Sequence, residues 1–207
     1  MKIYTKTGDT GKTSLYDGRR IAKNSVIFDA LGEMDELNAR IGVACSLSET
    51  NYLYTNLLRT IQCKIQDINA IIATVNKENK KLPIVDEADV SRLETCIDNN
   101  DTITPRLTKF ILPGVTKLDA QLHVCRTQAR KVERMLWYLN DEECVLKDER
   151  GRDVDIGSVV IDPVILKYFN RLSDFFFAFA RYVCHKDNCE DCFVDTYEIK
   201  KQSVSDE

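Results

Sequence analysis

Between residues 52 and 76, Leu57, Ile61, Ile65, Ile68, Ile72 and Val75 recur every three or four positions with polar residues between them. That spacing lays the apolar side chains along one face of a helix and leaves the other face to water. Such a stripe has to be covered by neighbouring elements, and the rest of the chain offers helices to do it. Residues 26–46 set Leu31, Met34, Asn38, Ile41 and Cys45 on one face, with Asp35 and Gly42 sharing it. Residues 86–98 run through Val90, Leu93 and Ile97 behind Asp86 as N-cap, and residues 117–140 carry Leu118, Leu122, Cys125, Ala129, Val132 and Leu136. A last helix starts near Pro163 and runs to about Cys184, its stripe formed by Leu166, Phe169, Phe176, Phe177 and Ala180. No strand pattern and no internal repeat accompanies them. The expected fold is all-α: a single domain over 1–184, in which a five-helix bundle (25–184) follows an irregular arm (1–24), with an acidic, cysteine-containing tail over 185–207.

The arm contains Thr7-Gly8-Asp9-Thr10-Gly11-Lys12-Thr13, a run of hydroxyls and glycines with one lysine. Two readings stand for it, a polar turn or a cradle of backbone N–H groups and positive charge for phosphate oxygens. It is not a Walker loop, because that motif needs glycine where Lys6 stands, and the strands of a P-loop fold are missing.

Composition narrows the choice. The chain is acidic overall, at a net charge of −4, yet its first 23 residues hold six lysines and arginines against two aspartates. That imbalance favours a localised anionic ligand over general nucleic-acid binding. No apolar run is long enough to span a membrane. The motif begins almost at Met1, so no leader is expected and the cytoplasm is the expected location, with the mitochondrion as the alternative if a transit segment has been removed. The eight cysteines suit a reducing compartment. Cys45, Cys63, Cys96 and Cys125 read as small core residues, whereas Cys184, His185, Cys189 and Cys192 form a cluster that is either a metal site or a set of unpaired thiols.

On the 117–140 helix, His123, Arg126, Arg130, Glu133 and Arg134 share one sector beside the apolar stripe. Arg126 and Arg130 are one turn apart, so both guanidinium groups can reach one polyanion, with Glu133 placed to hold Arg130. A solvated, salt-bridged helix face is the other reading. Asp35, on an apolar face, calls for a cationic partner, and an arginine of the 117–140 helix in this or a neighbouring subunit is the natural candidate. Asn170, Asp174 and Arg181 form a third polar seam. No nucleophile–base pair is present, so an enzyme of this kind would act by positioning and charge neutralisation.

Four blocks, in order, give the chain a resemblance to a known family. They are Tyr4 to Leu15 with Arg20 to Lys23; Gly32 to Asn38 with Ile41 and Gly42; Phe110 to Gly114 with Leu122 to Thr127 and Arg130 to Arg134; and Phe169 to Asp174. Together they resemble the PduO-type ATP:cob(I)alamin adenosyltransferases. The resemblance implies a homotrimer with its active site between subunits. It implies transfer of the 5′-deoxyadenosyl group of ATP to cob(I)alamin, with Mg²⁺ assisting triphosphate binding and an adenosylcobalamin-dependent enzyme as possible acceptor of the product. A non-catalytic corrinoid escort protein is the alternative.

Carried over by position, Thr5, Lys6, Thr7, Gly8, Gly11, Lys12, Thr13 and Lys23 contact nucleotide, as do Glu133, Arg134 and, from the last helix, Asn170. Arg126 and Arg130 hold the phosphate or ribose side, Asp35 pairs with Arg126 across the subunit boundary, and Phe110 presses on the lower face of the corrin. The chain departs from the family at Val115, where a second glycine is usual, at Lys131, where arginine is usual, and in the 141–161 connection and the tail.

Overall fold

The computed structural model describes Tyr4, residues 6–75, 80–141 and 160–194, and the backbone of 146–147 and 153–154. Thr5, most of the 141–161 connection and the tail beyond 194 lie outside the described residues. Five helices make up the body: α1 (Val26–Leu47), α2 (Tyr52–Ile72), α3 (Glu87–Asp101), α4 (Lys117–Leu139) and α5 (Pro163–Lys186). Six very short strands pair antiparallel in twos: β1 (Lys12–Ser14) with β2 (Arg20–Ala22), β3 (Ile111–Leu112) with β6 (Cys192–Phe193), and β4 (Leu146–Lys147) with β5 (Asp153–Val154).

Local chemistry sets the helix boundaries. Side chains of Asn51, Asp86, Thr116 and Asp162 each accept a hydrogen bond from a backbone N–H of the first turn they open, satisfying donors that have no partner within the helix. Asp86 and Asp89 cap each other reciprocally at the start of α3. Pro163 fits the first turn of α5, where no N–H is needed. The largest boundary differences from the sequence reading are at α2, which stops at Ile72 rather than 76, and α3, which continues to Asp101 rather than 98.

The stripe of α2 is buried as expected at Ile61, Ile65, Ile68 and Ile72, but Leu58 takes the fully buried place expected of Leu57, and Leu57 and Val75 are only partly covered. Helix α5 lies against both α3 and α4, and α1 lies against α2 and α4. Phe169, Phe175, Phe176 and Phe179 are fully buried on α5, with Phe175 and Phe179 stacked at 5.4 Å between ring centroids. Two cysteine assignments change. Cys45 and Cys125 are core residues, but Cys63 is exposed, standing off the stripe of α2, and Cys96 is only partly covered where it packs at the edge of the core. Arg181 also leaves the polar seam assigned to it: it is buried at 6% exposure, while Asn170 and Asp174 face water.

Truncating an aromatic side chain from the middle of such a core removes its transfer energy and leaves a void. Phe176→Ala is expected to lower the unfolding free energy by about 3–5 kcal/mol, read from urea denaturation.

Candidate active site

The N-terminal arm is a hairpin. Thr13 pairs with Ile21 across β1 and β2, and Leu15 and Ile21 anchor the hairpin in the core. The Tyr16 N–H donates to the Ala73 carbonyl at 3.0 Å, fastening the arm to the end of α2. Lys12 and Thr13 therefore stand on a strand, not at the start of a helix. Gly11 adopts the left-handed region at φ 77°, which an L side chain resists, and its carbonyl accepts from the Lys23 N–H at 2.9 Å. At Gly8 a Cβ would come within 3.2 Å of the Lys23 Nζ, so the missing side chain lets that ammonium lie against the backbone of the run. Arg20 donates through Nη2 to the Thr7 carbonyl at 2.8 Å. Positive charge and exposed backbone thus gather around residues 7–13, with Lys6 at the entrance in a left-handed conformation of its own.

On α4 the arginines are set by a buried polar chain. Asp119, 4% exposed, accepts from the Gly114 and Val115 N–H groups at 2.9 and 2.8 Å. Its other oxygen lies 3.3 Å from His123 Nε2, and His123 Nδ1 accepts from Arg126 Nε at 3.2 Å. The acceptor role of Nδ1 leaves the imidazole proton to Nε2, which approaches Asp119 without meeting hydrogen-bond geometry. Burial works to raise the Asp119 carboxyl pKa, but the His123 contact and the two backbone N–H groups outweigh it and hold the group below its ordinary value. The Arg126 guanidinium is pushed down from its usual value by burial and then by the like charge of Arg130. Among the described residues, no carboxylate lies within ion-pair distance of either guanidinium.

These arginines open onto two cavities. One, of about 620 Å³, is lined by Arg126, Arg130, Arg106 and Asp174 among others. The other, of about 600 Å³, is lined by Phe110, Ile111, Pro113 and His123. Arg126, Phe177 and Leu107 belong to both walls. Phe110 stands at the second cavity with 88% of its surface exposed. Val115 keeps an ordinary negative φ, because the left-handed turn before α4 is taken by Gly114 at φ 105°.

Some expectations change here. Glu133 does not hold Arg130; its Oε1 accepts from Asn170 Nδ2 at 3.0 Å, linking α4 to α5. Arg134 is exposed and reaches back to the Arg130 carbonyl at 3.3 Å. Asp35 is exposed within the single chain rather than buried on the apolar face. The carboxylate that links α1 to α4 is Glu33, which the sequence reading passed over. It accepts from Gln128 Nε2 at 2.6 Å and pairs with Lys131 Nζ at 2.7 Å. That pair also gives Lys131 its role: a point charge suffices for it. In the tail, no three of the described Cys, His, Asp or Glu residues come together as a metal site. Cys184 is buried, Cys189 donates to the Asp187 carbonyl, and Cys192 is part of β6.

Residues 3–183 match the Cobalamin adenosyltransferase family. The chain belongs to that family. It is 40% identical to the corrinoid adenosyltransferase of Bacillus subtilis (strain 168) over 186 residues, covering 88% of this chain and 86% of the relative. It is 35% identical to the Homo sapiens corrinoid adenosyltransferase MMAB over 191 residues, covering 90% and 70%. A phenylalanine-to-alanine variant of the PduO-type ATP:corrinoid adenosyltransferase of Lactobacillus reuteri, complexed with cobalamin and ATP, superposes with a TM-score of 0.80 at 34% identity, covering 93% and 98%. The chain is thus an enzyme of the ATP:corrinoid adenosyltransferase type.

A carboxyl group whose pKa is depressed by folding stabilises the fold above its unfolded pKa and loses that contribution as pH falls through the native value. Asp119→Asn keeps the shape of the side chain without the charge. Its urea midpoint is expected to fall at neutral pH by the equivalent of about 1–3 kcal/mol. Between about pH 5 and 2 it is also expected to decline less steeply than that of the unaltered chain.

Proposed function

We propose that this adenosyltransferase moves the 5′-deoxyadenosyl group of ATP to cob(I)alamin, forming adenosylcobalamin and releasing triphosphate. The observation that carries the reading is Arg126: a half-buried cation without a carboxylate partner among the described residues, standing in the wall between a cavity rich in arginine and one edged by an exposed phenylalanine. The first suits phosphates and the second suits the apolar face of a corrin. The complex of the Lactobacillus reuteri relative with cobalamin and ATP supports the pairing of ligands.

In the reaction, the electron pair of the reduced cobalt attacks C5′ of ATP, the cobalt–carbon bond forms, and the C5′–O bond breaks with its electrons leaving on triphosphate. The substrate is itself the nucleophile, so no protein base is required. The chain's residues hold geometry and absorb charge. Arg126 and Arg130 meet the charge gathering on the departing triphosphate, and Arg126 needs no reorientation because His123 and Asp119 already fix it. Lys12, Thr13 and Lys23, with Thr7, Gly8 and Gly11, bind phosphates from the arm, and Lys6 and Thr5 belong to the same segment. Asn170, oriented by Glu133, contacts ATP from α5, and Arg134 borders that site. Phe110 covers the lower face of the corrin.

Mg²⁺ finds no cage of three or more acidic or histidine ligands among the described residues, so it fits as a counter-ion carried by the triphosphate oxygens. The exposure of Asp35 suits a homotrimer in which it pairs with one edge of the Arg126 guanidinium of a neighbouring subunit and leaves the other edge to the triphosphate. The product then passes to an adenosylcobalamin-dependent enzyme, in the cytoplasm.

Purified protein with ATP, Mg²⁺ and chemically reduced cobalamin is expected to give the absorption spectrum of the adenosylated cofactor. Corrin binding without that change would point instead to an escort protein. Arg130→Ala is expected to reduce turnover by about 10²–10³-fold with the helical circular dichroism spectrum unchanged; a loss of helix would make the residue structural.

A further inference from the structure

The C-terminal segment is built into the Phe110 wall. At the end of α5, Asn188 takes a left-handed turn (φ 58°), and the Cys189 N–H donates to the Cys184 carbonyl at 3.0 Å, so the chain reverses direction. It then runs as β6 along β3, Ile111 opposite Phe193 and Leu112 opposite Cys192, and the Val194 N–H donates to the Phe110 carbonyl at 3.0 Å. Two residue pairs form a weak ladder by themselves. The ladder is held by the buried Arg181, whose Nε and Nη2 grip the Asp191 carboxylate at 3.1 and 2.8 Å. The same guanidinium donates to the Pro105 carbonyl at 2.6 Å and approaches Thr104 Oγ1 at 3.5 Å. One ion pair therefore ties α5, the 104–107 connection and the strand behind Phe110 together. Although Arg181 lines the arginine-rich cavity, its donors are committed inside the chain, which distinguishes it from Arg126 and Arg130.

We infer that Asp191, acting through Arg181, is a positioning residue for the corrin side of the site: the last strand is a strap that holds Phe110 in place. The inference rests on the adenosyltransferase reading. Without Asp191 the buried guanidinium keeps only neutral acceptors, the strap loosens, and β3 loses its partner. The strap backs Phe110 directly, whereas the nucleotide residues of the arm, of α4 and at Asn170 lie on other elements, and only Arg181 and the 104–107 connection border both sides. The defect should therefore fall on one substrate.

The test uses the full-length chain, with initial rates measured against cob(I)alamin and ATP separately and hydrogen–deuterium exchange followed in the peptide containing β3. Asp191→Ala is expected to raise KM for cob(I)alamin about tenfold, with KM for ATP changed by less than about twofold, since small misplacements of a positioning group have effects of this order. Exchange at β3 should quicken while α4 stays protected. Asp191→Glu should restore most of the corrin KM, and Glu190→Gln, on an exposed neighbour, should leave both constants unchanged. Val194→Pro, which removes the donor to Phe110 while leaving the Arg181–Asp191 pair in place, should show the same one-sided change more weakly. It decides the matter by the same criteria if Asp191→Ala fails to fold. An unchanged corrin KM, equal rises for both substrates, or unaltered β3 exchange would overturn the inference. Absence of turnover in the unaltered chain would instead sink the adenosyltransferase reading.

Discussion

The packing of α4 against α5 is the constraint on which the rest of the molecule depends. Burying the phenylalanines of α5 and the Leu122–Val132–Leu136 stripe of α4 against their neighbours fixes the rotation of both helices. Once those faces turn inward, Arg126 and Arg130 have to emerge along the border of α4, and Phe177 along the border of α5. The cavities are what remains where two apolar faces meet two polar edges. Glu133 and Asn170 then lock the edges together at one point, and Glu33 with Gln128 and Lys131 does the same between α1 and α4.

Electrostatics gives the site its direction. Several cations on the helices have a carboxylate partner: Arg40 meets Glu36, Arg171 meets Glu94 and Asp174, Lys64 meets Asp89, and Arg181 meets Asp191. Arg126, like Arg130, has none among the described residues. It is supported by a neutral imidazole acceptor, so its position is fixed while its charge remains available to a ligand.

Much of this was legible in the sequence, for reasons that differ by element. The five helices announce themselves because apolar periodicity over fifteen or more residues, with caps such as Asp86 and Thr116, leaves little choice. The arginine pair is legible because two residues four positions apart on a helix must share a face. Asp35 was misjudged because a helical wheel resolves a face only coarsely, and it sits beside the buried line rather than on it. The β3–β6 ladder could not be read: two-residue strands show no alternation, and their pairing is decided by the turn after α5 and by a buried charge. Arg181 looked like a member of a solvated seam because its partner, ten residues on, is brought back only by that turn. Glu33 was overlooked for a similar reason, since its partners lie on another helix.

The β3–β6 ladder has a consequence for how the protein is made. Its two strands are separated by α4, the following connection and α5, so closing it carries the entropy of a long loop and comes after the helices have found one another. During synthesis the Phe110 strand leaves the ribosome well before its partner exists, and it waits unpaired until β6 has been made. The arm and the arginine-bearing helix can both be in place by then. Order around Phe110 is therefore acquired last, which makes β6 the element that completes an already folded bundle.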